Sequence, residues 1–317
     1  MSIIEKAAQK LGPNAQEIGT SARANIIERA ASKLGKVEVA NITQTIPPAS
    51  VLQNSVASQD KVESTTSQVH LRSTPTQSKS CVIDLAKLRA AGGVTPGDEM
   101  TPIAEEFRLI KRPLIMNAFN QGAGPIQNGN LIMVTSALAG EGKSFCAINL
   151  AMSIAMEMDH TVLLVDADVA RPSVPRYLGL KAEMGLLDIL LNDKLELPDV
   201  MMRTNIEKLS ILTSGKKSRH ATELLASQSM SNLLKDIALR YRDRIVIFDS
   251  PPLLLTTESH VLASQMGQIV MVVEAETTPQ KAVLEALRQI ESCDVINLIY
   301  NKSRSFQGEG YYGYGYS

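Results

Sequence analysis

The segment LIMVTSALAGEGKSFCAINLAMSIAM (131–156) holds the most chemically specific residues of the chain. An apolar, β-rich run ends near Thr135, a loop of small residues follows, and Gly-Lys-Ser opens a helical pattern. This is the context in which such a loop binds phosphate. Its backbone N–H groups and the helix N-terminus point at phosphate oxygens. Lys143 supplies a positive charge for the β- and γ-phosphates, and the Ser144 hydroxyl is a hard oxygen ligand suited to Mg²⁺. The first position of the G-x-x-x-x-G-K-S pattern is Ala137, which fits if the backbone there has negative φ. Two further apolar runs end in acids: TVLLVDADVARP carries Asp166 and Asp168, and RIVIFDSPP carries Asp249. Three carboxylates beside a phosphate loop can complete a Mg²⁺ shell through water, or take a proton from an incoming hydroxyl.

These residues need elements that bring them to one edge. LIMVTS, TVLLVDAD, LSILTS, RIVIFDS, QIVMVVEA and VINLIYN are short, nearly continuous apolar runs. Such runs suit strands buried on both faces of a parallel sheet. Helical patterns over 143–158, 221–241 and 279–291 separate them, and VIDLAKLRAAG and TPIAEEFRLIKRPLIMNAF precede them. The alternation predicts an α/β, doubly wound, mostly parallel sheet flanked by helices, with ligands at the C-terminal strand ends.

The rest of the 317 residues divides by composition. In 1–35, SIIEKAAQKLG returns as NIIERAASKLG, each copy with a capping-box start and a terminal glycine. Ile3, Ala7 and Leu11, and again Ile26, Ala30 and Leu34, line one face, so these short helices need something to pack on. Residues 36–80 are rich in Ser, Thr, Gln and Val and read as a disordered linker. The folded domain is expected over 81–303, followed by a flexible Tyr-rich tail, 304–317. A net charge of −1 gives no sign of a nucleic-acid surface. No apolar run approaches the ~18–20 residues of a membrane span, and the N-terminus has no secretory apolar core, so a cytoplasmic location is expected. The three Cys and four His show no metal-ligand spacing.

Taken with IDLAKLRAAGGVTPGDEM, TELLASQSM and IYNK, the segments SALAGEGKS, LLVDADVARPSVPRYLGL and VIFDSPPLLLTTE resemble the bacterial protein-tyrosine kinases of the P-loop type. Among these the chain is similar to the exosortase-associated tyrosine autokinases of exopolysaccharide synthesis. The resemblance covers roughly 81–303. It implies ATP and Mg²⁺ as cofactors. It places Ala139, Gly140, Glu141, Gly142, Lys143, Ser144 and Phe145 around the phosphates and Asn301 at the adenine. It makes Asp166 the base for a tyrosine hydroxyl, Asp168 and Asp249 (with Ser144) the Mg²⁺ shell, and Lys143 the Walker lysine. The family's D-x-D-x-R has Ala170 at its last position here, with Arg171 next to it.

The chain ends YYGYGYS, so four of its seven Tyr (Tyr311, Tyr312, Tyr314 and Tyr316) stand between glycines at the terminus. Beside a phosphate-transfer site they read as phosphoacceptors carried by the enzyme itself. Glu105, Arg108 and Lys111 sit three residues apart, spread over an arc of about 120° of one helix. They match the family's E-x-x-R-x-x-R ring-assembly motif, with Lys for the last Arg. The resemblance also implies a self-assembled ring, a membrane activator of the polysaccharide chain-length (co-polymerase) type, and recruitment to the inner face of the membrane. The N-terminal helices are candidates for contacts with other proteins. The competing function is a partitioning-type ATPase switch without kinase activity. Those enzymes carry a lysine five residues before the Walker lysine, where this chain has Leu138.

Overall fold

Four strands form the centre because their side chains are apolar on both faces. In β2 (Leu131–Ser136), β3 (Thr161–Asp166), β6 (Arg244–Asp249) and β7 (Gln268–Glu274) nearly every residue is buried. Successive side chains point to opposite faces of a strand. Leu131, Met133, Leu163, Val165, Val246, Phe248, Ile269 and Met271 accordingly enter one core, and Ile132, Val134, Val162, Leu164, Ile245, Ile247, Val270 and Val272 enter the other. Burying each such side chain contributes roughly 1.5–3 kcal/mol, so the two-sided pattern drives the three-layer arrangement. This computed structural model describes residues 79–98, 100–119, 124–181, 184–240 and 243–303. The N-terminal repeat and the Tyr-rich tail lie outside them.

The sheet has eight strands in the order β1-β4-β5-β3-β6-β2-β7-β8. The outer four are β1 (Lys79–Ser80), β4 (Met202–Arg203), β5 (Leu209–Leu212) and β8 (Ile296–Asn301). Every pairing is parallel except β4 with β5. The expected fold is thus present, with two additions. Strands β1 and β4 have two residues each, too few for a periodic signal. Lys79 and Ser80, the last two residues of the expected 36–80 linker, pair with β4; the rest of that segment lies outside the described residues.

One core is covered by α1 (Leu85–Ala90), α2 (Pro102–Ala118) and α3 (Lys143–Ala155). Helix α3 is buried almost all round, which is the pattern of a helix inside a large domain. Its one buried amide, Asn149, is satisfied at both ends: Oδ1 accepts from the Val94 N–H at 2.6 Å, and Nδ2 donates to the Phe145 carbonyl at 2.8 Å.

The opposite core is covered by short helices that no sequence period announced, α5 (Leu186–Leu191), α6 (Leu197–Val200) and α9 (Glu258–Ala263), and by α7 (Ala221–Leu225), α8 (Gln228–Arg240) and α10 (Gln280–Gln289). The helix expected over 221–241 is two helices, because Ser227 caps the second. Its hydroxyl accepts from the Met230 N–H at 3.2 Å while donating to the Leu224 carbonyl at 2.6 Å. A further turn, α4 (Val174–Leu178), follows the second acidic strand.

Candidate active site

Strand register brings the acids together. β3 and β6 are neighbours with Asp166 opposite Asp249, and β6 also pairs with β2 so that Asp249 stands opposite Val134, two residues before the phosphate loop begins at Ser136–Ala137. Parallel strands lie about 4.8 Å apart, which is too close for two ionised carboxylates to ignore each other.

The loop itself is held open by left-handed glycines, Gly140 (φ 91°) and Gly142 (φ 96°). A Cβ on Gly142 would sit 2.1 Å from the Asn301 Nδ2, so only glycine fits there. Ala137 is fully buried and is not among the residues with positive φ, which is why alanine serves in place of the usual glycine. Glu141 folds its buried carboxylate back: Oε2 accepts from the Leu138 N–H at 2.6 Å, and Oε1 accepts from the Thr278 hydroxyl. From behind, Asn301 Nδ2 donates to the Glu141 carbonyl at 2.8 Å, and Lys302 Nζ donates to the Gly140 carbonyl at 2.8 Å.

Lys143 opens α3 and lies among the acids. Its ammonium is 2.8 Å from Asp168 Oδ2, 3.7 Å from Asp249 Oδ1 and 3.4 Å from Ser144 Oγ. Burial alone would pull the ammonium pKa down, but Asp249, Asp168 and Asp166 together outweigh it and raise it. Ser173, in the turn before α4, ties the cluster: its Oγ lies 2.7 Å from Ser144 Oγ and donates its one proton toward Asp249 Oδ2 at 3.3 Å. The Ser173 and Val174 N–H groups both reach Asp166 Oδ2 at 3.0 Å, and the Arg171 N–H reaches Asp168 Oδ1 at 3.0 Å. Burial, and then the charge of Asp249, push Asp166 up to about 7. Burial likewise raises Asp249, against the opposing charge of Lys143. Burial and the Asp249 charge push the neighbouring Cys146 up to about 12, so that thiol is an inert core residue.

Asp166 Oδ1 and Asp249 Oδ1 are buried with no hydrogen-bond partner, an arrangement that favours an added cation. With the Ser144 hydroxyl and the Asp168 carboxylate they form a set of hard oxygens, which fits Mg²⁺.

Ala139, Gly140, Gly142, Lys143, Ser144 and Asp168 line a cleft of about 610 Å³. The other expected residues do not face it. Asp166 and Asp249 are fully buried behind it, Glu141 is turned into the loop's own hydrogen bonds, Phe145 packs against the core, and Asn301 lies behind the loop. The far wall holds residues that spacing did not single out: Arg176, Tyr177, Pro251, Pro252 and Leu255. Arg171, beside Ala170, also lines the cleft. Ser173 had no sequence signal, because it reaches the cluster only through a turn.

The 105/108/111 triad does not share one surface. Glu105 and Arg108 pair with each other at the exposed side of α2. Lys111 is 5% exposed, donating to the Ser153 carbonyl at 2.6 Å and pairing with Glu157 Oε1 at 2.7 Å. The 120° arc expected from spacing is wide enough for one edge to turn into α3, and Lys111 is that edge. The exposed cation following it is Arg112. Tyr311, Tyr312, Tyr314 and Tyr316 fall outside the described residues.

A family model described as NUBPL iron-transfer P-loop NTPase (ParA) matches residues 127–300. The chain is 34% identical over 186 residues to the tyrosine-protein kinase YwqD of Bacillus subtilis, covering 57% of this chain and 77% of that protein. It is 31% identical over 194 residues to the putative tyrosine-protein kinase EpsB of Ralstonia nicotianae, covering 61% of this chain but 24% of EpsB. Among solved structures it is similar to the chimerical protein CapA2B2 (26% identity, TM-score 0.55, 69% of this chain and 93% of that one) and to the kinase domain of the Escherichia coli tyrosine kinase ETK (28%, TM-score 0.51, 59% and 73%).

Proposed function

Because the chain belongs to the bacterial protein-tyrosine kinase family of ParA-type P-loop NTPases, we propose that it transfers the γ-phosphate of ATP to the tyrosines of its own C-terminal tail. The observation that carries this reading is the cluster Lys143–Asp168–Asp249 against the phosphate loop, beside a cleft of about 610 Å³.

In the reaction the phenolic oxygen bonds to the γ-phosphorus, the bond from that phosphorus to the β,γ-bridging oxygen breaks, ADP leaves, and the phenolic proton passes to a carboxylate. The transition state is loose, so little is asked of the base and most of the catalysis is positioning and charge neutralisation. Asp166 has the proton affinity for the role, near 7, and Asp168 has the access, since it faces the cleft. Lys143 leaves its acidic partners to follow the β- and γ-phosphates. Ser144, Asp168 and Asp249 would hold Mg²⁺, which when bound would neutralise further phosphate charge. Arg171 stands where it can replace the arginine missing at Ala170. The apolar wall of Pro251, Pro252 and Leu255 suits the ring of an incoming tyrosine.

On this reading residues 81–303 are the kinase domain, 1–35 a pair of short helices that contacts other proteins, 36–80 a linker, and 304–317 the substrate tail. Transfer between subunits of a ring uses the exposed Glu105–Arg108 side of α2; Lys111 serves inside the subunit instead. Four filled tyrosines would add about −6 to −8 charge to one segment, enough repulsion to favour release of the tail and of the ring. A membrane co-polymerase activator and a role in exopolysaccharide synthesis or export complete the reading, which the family membership supports.

Incubation with Mg·ATP followed by intact-mass analysis and peptide mapping tests it. Wild-type protein gains up to four phosphates in the C-terminal peptide, and Lys143→Ala gains none. Equal labelling of the two would sink the proposal. ATP hydrolysis without any phosphotyrosine would favour the partitioning-type switch, against which the absence of a lysine at Leu138 already speaks.

A further inference from the structure

The end of β8 shapes the phosphate loop from outside the cleft. Asn301 stands opposite Glu274, the last residue of β7, in the sheet register. The next residue, Lys302, has a left-handed backbone (φ 57°), which is uncommon for a residue other than glycine and marks a conformation imposed by its surroundings. That conformation turns the Lys302 side chain back on the loop. Its ammonium bridges the Gly140 carbonyl at 2.8 Å and Glu274 Oε2 at 3.0 Å, while Asn301 Nδ2 takes the neighbouring Glu141 carbonyl at 2.8 Å.

The consequence follows from peptide geometry. A trans peptide unit is planar, with its C=O and the following N–H pointing in opposite directions. Tying the Gly140 carbonyl outward aims the Glu141 N–H inward, and tying the Glu141 carbonyl outward does the same for the Gly142 N–H. Gly140 and Gly142 have φ of 91° and 96°, conformations free to swing without such ties. A Lys–Glu pair at the surface contributes little by itself. Here the pair has a third member, a carbonyl of the phosphate loop.

We propose that Lys302, anchored by Glu274, is a positioning residue for nucleotide binding that fixes the direction of the loop's N–H groups. The proposal rests on phosphate binding at this loop and not on the identity of the phosphoacceptor, so nucleotide affinity and not phosphotyrosine tests it. A fluorescent ADP analogue would be titrated into the full chain carrying Lys302→Met, Lys302→Arg or Glu274→Gln, with turnover measured at saturating ATP. Loss of a half-exposed charged hydrogen bond predicts a Kd raised about five- to tenfold for Lys302→Met. Turnover at saturation stays near wild type, and Lys302→Arg, which can still donate, recovers most of the affinity. Glu274→Gln decides between positioning and simple charge. Removing a negative charge near bound phosphate would by itself tighten binding, whereas releasing Lys302 from its anchor weakens it by about two- to threefold. Wild-type affinity in Lys302→Met would overturn the proposal, and so would unchanged or tighter binding in Glu274→Gln. If Lys302→Met does not fold, as judged by circular dichroism, Glu274→Gln alone gives the answer.

Discussion

Replacing Asp166 by Asn should make the nucleotide-free protein more stable. Asp166 is fully buried beside Asp249, and one of its oxygens has no partner. Asn keeps the shape. Its Oδ1 still accepts the Ser173 and Val174 N–H groups, and its Nδ2 can donate toward Asp249. What it removes is a charge the fold does not welcome. Burial and Asp249 raise the Asp166 pKa from an ordinary 3.8 to about 7. Below pH 3.8 the group is protonated in both the folded and unfolded states and contributes nothing. Between 3.8 and 7 the unfolded chain gives up its proton while the folded one keeps it, so stability falls as pH rises. Above 7 both are ionised and the penalty is constant. At 1.36 kcal/mol per pKa unit the penalty reaches up to about 4 kcal/mol at pH 8, and stays under about 2 kcal/mol at pH 5. Urea unfolding of wild type and Asp166→Asn in EDTA at the two pH values reads the difference directly. The variant should gain the larger increment at pH 8. An equal increment at both pH values, or a variant less stable than wild type at pH 8, would show that the buried carboxylate is not strained by its charge.

The remaining expectations use the same assays. Lys143→Ala leaves buried carboxylates without their cation, so beyond losing phosphotransfer it should destabilise the metal-free protein by about 3–5 kcal/mol at pH 8. The loss should shrink toward pH 5 as Asp166, raised to about 7, takes up its proton. Gly142→Ala places a side chain at φ 96° and against Asn301; a cost of about 1–2 kcal/mol from the backbone alone, with a much larger loss of nucleotide affinity, is expected from urea unfolding and ADP titration. Lys111→Ala should cost about 2–3 kcal/mol by emptying a buried anchor without changing the light-scattering mass of the proposed ring. Arg108→Ala should lower that mass and leave stability nearly unchanged.

The sequence made some features plain for physical reasons. Strands apolar on both faces have one solution, a sheet covered twice, and β2, β3, β6 and β7 follow it. The loop and the three acids were legible because each lies at or just past the end of such a strand. Distinguishing the acids was not possible from pattern. Asp166 is the last residue of β3 and is fully buried, whereas Asp168 lies past the strand end and, though itself 4% exposed, lines the cleft. Alternation says nothing about residues beyond a strand's last hydrogen bond. Lys111 misled because spacing defines an arc without saying which edge meets a neighbour, and α3 decides that. The break at Ser227 lay hidden in a helical pattern because a single hydroxyl ends one helix and begins the next. Ser173 reaches its partners across long sequence separations (29 residues to Ser144 and 76 to Asp249), with no period to reveal it.

The sheet order also sets a schedule for making the protein. Strand β2 and its loop emerge early from the ribosome, but their neighbours do not. The bond from Ser250 to the Val134 carbonyl spans 116 residues, and that from Lys302 to the Gly140 carbonyl spans 162. At about 5–20 residues per second the strand waits roughly 6–23 s for β6, and the loop roughly 8–32 s for Lys302. During that time an apolar strand and a phosphate loop have no sheet to join, which makes them natural clients for chaperones. A nascent chain stopped before β8 would have both glycines, the lysine and all three acids, and still lack the two side chains that turn the loop toward phosphate.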